Sequence, residues 1–534
     1  MGGEEMAPGR QGRRGGPVPD GQPPVTIPRG AYLALAVAAV LLGGAAVVRS
    51  TRGVATVEES DLTNFFLRSA NNILAGHPFA IYAIHPPDGF PNDSPPLIMF
   101  LLAPLLALAR MVGFAATTGQ QITFVSIPFL LLVPALGYLT LVALRQLFPE
   151  ISETQQILAF GLVLFSPLIW QSYTAWSHLD QPLMLIFLVA AIVAFQRRRE
   201  GLGGVLAGLA LLSRSTAMFP LLAFGLLILF TREWRGLLRF CCVAVGIALA
   251  GLSPFFLFDR RDAVYSLVTW RGGSPIGGNS IWSVFLYEGT QAQSPLRYAL
   301  DHLVRRLDTP TIFVFIALFV FLAVRRLRAS PYGPEAWAIV TVGAIALPLL
   351  TKRNWPYYYL EPFIFLLIWE FATMHDRRAG LWRWPVLTFG YLSVTTTLSQ
   401  FIGLQSVGAL DRVAVGIVNF GLLSAFVFAI WARSAARQES GRLAPALAGR
   451  GPVAGVARQA PLPETRPAWG GAGSPPGAMP PGAIGWPSGP SSQQWSGPPG
   501  PGGPPPAGAV RPPGAPGPRT PWPPNAGGPP RSGG

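Results

Sequence analysis

The sequence predicts an all-α polytopic membrane protein of about twelve transmembrane helices, and three observations predict it. Apolar residues make up 50% of the 534-residue chain and charged residues only 12%, half of the about 25% that soluble domains carry. Apolar runs close to the ~20 residues that cross a bilayer recur between residues 30 and 432. Arginines cluster in the short loops between them, at Arg197–Arg199, at Arg325, Arg326 and Arg328, and at Arg377 and Arg378, which is the distribution of cytoplasmic loops.

The elements follow in chain order. Residues 1–29 are rich in Pro, Gly and Arg, and too long and polar for the n-region of a signal peptide, so the run 30–48 reads as an uncleaved first span behind a disordered cytoplasmic N-terminus. The candidate runs are 30–48, 96–113, 121–145, 155–173, 181–196, 201–213, 215–231, 237–257, 310–324, 335–350, 357–373, 385–402 and 413–432. Arg10, Arg13, Arg14 and Arg29 put the N-terminus inside. If every run crossed, the arginines at 197–199, 232–239, 325–328 and 377–383 would all lie outside. If one early run does not cross, all of them fall inside.

The weakest early run is 96–113. It opens on Pro95-Pro96, contains Pro104 and carries Arg110. Proline inside a span is tolerated only where neighbours satisfy the freed backbone groups. This segment is therefore expected to be a short re-entrant or interfacial helix in the first outer loop. Both termini are then cytoplasmic, and two outer loops are large, about 49–120 and 258–308.

Beyond the membrane domain, 30–432, composition changes abruptly. Stretches such as Gly497-Pro-Pro-Gly-Pro-Gly-Gly-Pro-Pro-Pro cannot bury enough apolar area to offset chain entropy, and their irregular spacing excludes collagen. Residues 433–534 are expected to be a disordered cytoplasmic tail. Cys241 and Cys242 are adjacent in an apolar run and offer neither a disulfide framework nor zinc spacing. The formal net charge of +15 would suggest nucleic acid in a soluble protein; here loop arginines account for it, and no nucleic-acid partner is expected.

On this topology the unusual polar residues gather on the outer face. Asp61 follows the first span. His178 and Asp180 lie in a short loop, Arg214 sits between two short spans, and Arg271 is in the second large loop. Lys352, the only lysine, is followed by Arg353 and by Tyr357, Tyr358 and Tyr359, with Glu361 just beyond. Ionisable groups near hydrocarbon are costly and need partners. Each residue has a plain structural role open to it. Asp180 can cap a helix, Arg214 can snorkel, and the tyrosines can form an aromatic belt. Their conjunction is what suggests a site for an anionic lipid phosphate and a sugar.

The arrangement resembles the GT-C superfamily of membrane glycosyltransferases that use polyprenyl-phosphate-linked sugars, and its mannosyltransferase-like bacterial members in particular. The residues that carry the resemblance, over about 30–432, are Asp61 followed by Ala75-Gly-His-Pro-Phe-Ala-Ile-Tyr82, the Pro-initiated Ser94-Pro-Pro-Leu-Ile-Met99, Asp180, Ala207-Gly-Leu-Ala-Leu-Leu-Ser-Arg214, and Lys352-Arg-Asn-Trp-Pro-Tyr-Tyr358. The family's first-loop acid often has an acidic neighbour; here Glu58 and Glu59 stand just before Asp61.

The resemblance implies an inverting transfer from a polyprenyl-phosphate donor, carrying mannose or another hexose or pentose, to a glycan, lipid or protein acceptor outside the cell membrane. Asp61 would be the base, with Asp180 as second acid. His178, Arg214, Arg271, Lys352, Arg353 and Tyr358 would bind the substrate and its phosphate. Asp180 and His178 can also hold a divalent metal, and the sequence leaves metal dependence open. Two other readings stand beside it. A transporter or flippase would show two matched halves and midplane breaks, which are not evident here. A scaffold working through its Pro-rich tail leaves the outer-face charges without a role.

Overall fold

The computed structural model describes residues 29–51, 62–83, 91–175, 177–270, 277–278, 280–284, 295–374, 384–403 and 409–448. Asp61, Arg271 and the residues beyond 448 lie outside them. The chain divides into two units, 1–455 and 456–534, and only the first contains described residues.

Every apolar run read from the sequence is helical. The helices are α1 (Arg29–Thr51), α2 (Arg68–Leu74), α3 (Leu97–Met111), α4 (Thr118–Phe129), α5 (Leu132–Leu147), α6 (Glu153–Leu164), α7 (Pro167–Thr174), α8 (Asp180–Gln196), α9 (Glu200–Ser213), α10 (Met218–Phe230), α11 (Trp234–Phe258), α12 (Arg260–Val264), α13 (Pro295–Leu327), α14 (Glu335–Leu350), α15 (Leu360–Thr373), α16 (Val386–Gly403) and α17 (Ala409–Ala448). Local chemistry sets several boundaries. Thr117 with Gln120, and Ser152 with Gln155, form capping boxes that start α4 and α6. Pro167 at the first position restarts the helix as α7, so α6 and α7 run as one broken crossing, as do α4 and α5.

Six of the helical stretches are long and apolar enough to cross a membrane: Arg29–Thr51, Thr118–Leu147, Glu153–Thr174, Trp234–Phe258, Arg306–Leu327 and Val413–Glu439. The others are shorter. α8, α14 and α15 have 17, 16 and 14 residues, so at ~1.5 Å per residue they span less than the ~30 Å hydrocarbon layer. α14 and α15 are buried almost throughout, whereas α1, α11 and α17 expose much apolar surface. Helices apolar on all faces belong at the centre, and their polar ends become buried positions.

Contacts show which helix ends lie together. Arg29, Arg145, Glu153 and Gln156 line one cavity. Arg197 donates to Gln146 at 2.7 Å, Gln196 to the Pro331 carbonyl at 3.2 Å, and Arg437 to Glu335 at 3.2 Å. These join one arginine-rich end. At the other end, Thr51 meets Thr123 at 2.6 Å, Arg214 meets Asp180, and Ser280 donates to the Thr351 carbonyl at 2.6 Å. Among the described residues, α1, α4–α5, α6–α7, α8, α9, α10, α11, α13, α14, α15, α16 and α17 alternate between these two ends. The start of α1 and the later part of α17 therefore share one end.

α3 makes no crossing of its own. Asn92, just before it, bonds Ser69 at 3.1 Å and Met99 Sδ at 3.5 Å, while Arg110 near its end donates to Asn71. Both ends of α3 are thus tied to α2. The first large loop is built around it: Leu62–Leu67 forms a π-helical turn leading into α2, and Ala80–Tyr82 a 3₁₀ turn. Ser69 Oγ and Asn72 Nδ2 hold that turn through the carbonyls of Ile81 and Ala80, each at 2.8 Å.

Two boundaries differ from expectation. α13 begins at Pro295, well before the apolar run at 310, because nothing between Pro295 and Thr309 breaks a helix. α17 continues past 432 to Ala448. Arg433, just beyond the expected end of the membrane domain, is buried and paired with Glu370 at 2.5 Å.

Candidate active site at the distal end

The turn between α7 and α8 builds the centre of the site. Ser177 takes φ +54°, an uncommon value for a non-glycine residue, and the His178 amide closes back onto the Ser172 carbonyl at 2.7 Å. The reversal brings His178 and Asp180 to the first turn of α8. Opposite them, α9 stops at Ser213, and Arg214 adopts an extended backbone before the 3₁₀ turn Ser215–Ala217. That extended residue sends the guanidinium inward instead of along the helix.

Arg214 Nη1 donates to Asp180 Oδ2 at 2.6 Å and lies 3.0 Å from His178 Nδ1, while His178 Nδ1 is 3.2 Å from Asp180 Oδ1. Asp180 is fully buried; His178 and Arg214 are nearly so. A buried ion pair is costly unless its geometry is good and its remaining groups are bonded.

The 3₁₀ turn Pro356–Tyr359, which leads into α15, forms the wall of the cluster. The ring of Tyr357 lies 4.1 Å from that of His178 and 4.9 Å from the Arg214 guanidinium carbon, within cation–π range. Gln181 holds the turn in place by donating from Nε2 to the Tyr357 carbonyl. Glu361, on the first turn of α15, accepts from Thr216 Oγ1 at 2.6 Å and lies within electrostatic reach of Arg214, as does Tyr358.

The structure brings His178, Asp180 and Arg214 into direct contact. Tyr358 touches the cluster through Tyr357, with ring centroids 4.9 Å apart. Lys352 and Arg353 lie on the segment between α14 and this turn. Arg353 and Asn354 form a short parallel bridge (β2) with Gly277 and Gly278 (β1), and Trp282 Nε1 donates to the Leu350 carbonyl at 2.7 Å. α17 approaches the same place so closely that a Cβ on Gly416 would stand 2.5 Å from the Ser280 carbonyl oxygen. Lys352 is buried. Arg353 is half-buried, with its guanidinium carbon 5.0 Å from the Trp355 ring, and among the described residues it has no acidic partner. Asp61 precedes Leu62, and the turn that starts there carries Phe66, whose ring is 6.2 Å from His178.

Gln181 and Thr216 were not singled out from sequence, and Tyr357 and Glu361 were noted on the outer face without a role assigned to them. An acid inside an apolar run is a usable flag, and Glu361 carried it; Thr216 and Gln181 offered no comparable signal. Among the described residues, no group of three His, Cys, Asp or Glu side chains gathers as a metal site, and both Asp180 oxygens are engaged by Arg214 and His178.

No family model and no curated protein matches the sequence. Among solved structures, the crystal structure of ArnT from Cupriavidus metallidurans bound to undecaprenyl phosphate superposes with a TM-score of 0.42 and 16% sequence identity, over 79% of this chain and 81% of that one.

Proposed function

We propose that the chain is a membrane glycosyltransferase that moves a sugar from a polyprenyl-phosphate carrier to an acceptor hydroxyl on the extracytoplasmic side. The observation that carries this reading is the buried Asp180–Arg214–His178 cluster walled by Tyr357. Ionisable side chains are expensive at such positions and are kept there chiefly for function. Their location at one end of the bundle, and not at its middle, suits a lipid-borne substrate whose headgroup lies at the membrane surface. It is less suited to a transport path.

In the proposed reaction, the Asp61 carboxylate takes the proton of the acceptor hydroxyl as that oxygen bonds to the anomeric carbon. The bond from that carbon to the phosphate oxygen breaks with inversion, and polyprenyl phosphate leaves. The charge developing on the leaving oxygen needs fixed cations. Lys352, Arg353 and Arg271 are the candidates with the right chemistry. Asp180 serves by fixing Arg214 and His178; its own oxygens are already bonded.

The test is sugar transfer by the purified full-length protein in nanodiscs, supplied with radiolabelled polyprenyl-phospho-mannose and a crude membrane acceptor extract. Label should pass to acceptor with the wild type. Asp61→Asn should abolish transfer while leaving the protein folded. Wild-type turnover in that variant would remove Asp61 from the mechanism and turn attention to Glu58 and Glu59.

A further inference from the structure

One guanidinium in the distal cluster faces two carboxyl groups, Asp180 at 2.6 Å and Glu361 nearby. With His178 neutral, the cluster therefore carries no surplus positive charge. A phosphate brought there would have to compete with the Asp180 carboxylate for a cation already committed to it, which is an unfavourable exchange. The hydrogen bonds the cluster leaves unmade are of another kind. Among the described residues, Arg214 Nε, a donor, and Gln181 Oε1, an acceptor, are buried without a partner. Gln181 is fully buried and Arg214 nearly so. The site thus offers an unmade donor and an unmade acceptor on two residues that both pack against Tyr357. A hydroxyl group both gives and takes a hydrogen bond, whereas a phosphate oxygen only accepts. The Tyr357 ring adds a flat apolar wall beside them.

Arg353 presents the opposite chemistry. It is a half-buried cation with no acidic partner among the described residues, braced on Trp355 and held by the bridge to Gly277 and Gly278. A guanidinium held this way keeps its donor fork for an anion.

We propose that the two cations divide the substrate: the cluster of Asp180, Arg214 and Gln181 receives the uncharged, hydroxyl-bearing sugar ring, and Arg353 receives the carrier phosphate. This rests on the transferase reading and sharpens it. It assigns Arg214 to the sugar alone, where the resemblance had placed it among the residues for the substrate and its phosphate.

Binding to the full-length protein in nanodiscs separates the two subsites. The probes are sugar-free polyprenyl phosphate and polyprenyl phosphates bearing a hexose or a pentose. Arg353→Gln should weaken sugar-free carrier binding about tenfold or more, the loss of one charge-assisted contact. Gln181→Met and Arg214→Lys should bind the sugar-free carrier as the wild type does, and lose the extra affinity that a sugar confers. Gln181→Met keeps the test open if Arg214→Lys does not fold. The division is overturned if Gln181→Met weakens sugar-free carrier as much as Arg353→Gln, if Arg353→Gln leaves it unchanged, or if neither sugar adds affinity in the wild type. A wild type that binds no polyprenyl phosphate at all would instead bring down the transferase reading itself.

Discussion

Two buried ion pairs, one at each end of the bundle, show how differently the same chemistry can be used. At the arginine-rich end, Glu370 is wholly occupied. Its Oε1 accepts from Arg433 at 2.5 Å and from the Leu387 amide at 3.1 Å, and its Oε2 accepts from the Thr388 amide at 2.6 Å. Those amides belong to the first turn of α16, whose N–H groups have no partner within the helix. Arg433 also donates to Thr373 at 3.3 Å. This pair clamps α15, α16 and α17 together. The Asp180–Arg214 pair joins α8 to the α9–α10 turn, but among the described residues it leaves Arg214 Nε, and the neighbouring Gln181 leaves Oε1, buried without partners. Trp369 Nε1 and Thr388 Oγ1 beside the clamp are unpartnered too among the described residues, so the contrast lies in the pairs themselves. The clamp's carboxylate has every oxygen bonded to its helices, whereas the distal pair keeps a guanidinium donor unmade and open to a ligand.

The largest effect expected from this contrast is on stability at the arginine-rich end. Glu370→Leu would strand Arg433 in an apolar setting and uncap α16. Removing one partner of a buried pair costs about 3–5 kcal/mol. Thermal unfolding of the purified variant should fall far below that of the wild type. A wild-type melt would show that the clamp contributes nothing.

A smaller effect separates the two pairs by double substitution. Replacing Asp180 by Leu and Arg214 by Met together removes both charges, an exchange that is often neutral for stability. The expected variant melts within about 1 kcal/mol of the wild type, an allowance for residual packing change, and transfers no sugar. The matching variant at the other end, Glu370→Leu with Arg433→Met, should remain destabilised, because the Leu387 and Thr388 amides still lack an acceptor, at about 1–3 kcal/mol for each buried group left unpaired. Double-mutant cycles on melting and on transfer check both statements. Equal behaviour of the two pairs would erase the distinction between clamp and site.

The same pairs show what was legible in the sequence. The helices could be read because each apolar run is its own signal, and 96–113 could be set apart because Pro104 and Arg110 mark a segment that spans poorly. His178, Asp180 and Arg214 stood out as ionisable groups at the ends of apolar runs. Which of them meet could not be read, since the partners lie 34 and 36 residues apart and only the packing of α8 against α9 sets them face to face. Arg214 therefore read as a cation available to phosphate, although Asp180 already holds it. Among three consecutive tyrosines the 3₁₀ turn Pro356–Tyr359 sets the order in which the rings meet the cluster, Tyr357 directly against His178 and Arg214 and Tyr358 against Tyr357. Glu370 and Arg433 were overlooked for complementary reasons: one hides inside an apolar run, the other just beyond the point where apolar residues thin out.

The smallest predicted effect also compares the two ends, because each places a guanidinium over an aromatic ring: Arg214 over Tyr357 at 4.9 Å and Arg433 over Trp369 at 5.3 Å. A cation–π contact contributes about 0.5–2 kcal/mol. If Tyr357 serves the site, Tyr357→Leu should slow transfer by about 2- to 30-fold, the same range expressed as a rate, with the melting temperature little changed, since Tyr357 is only half-buried. Trp369→Phe should do the reverse, because Trp369 is fully buried beside the clamp: a lower melt, with transfer per folded molecule unchanged. Transfer rates and melts measured on both variants decide the matter. A Tyr357 variant that loses stability and not rate would make its ring part of the scaffold, and the wall of the site would have to be sought among the tyrosines beside it.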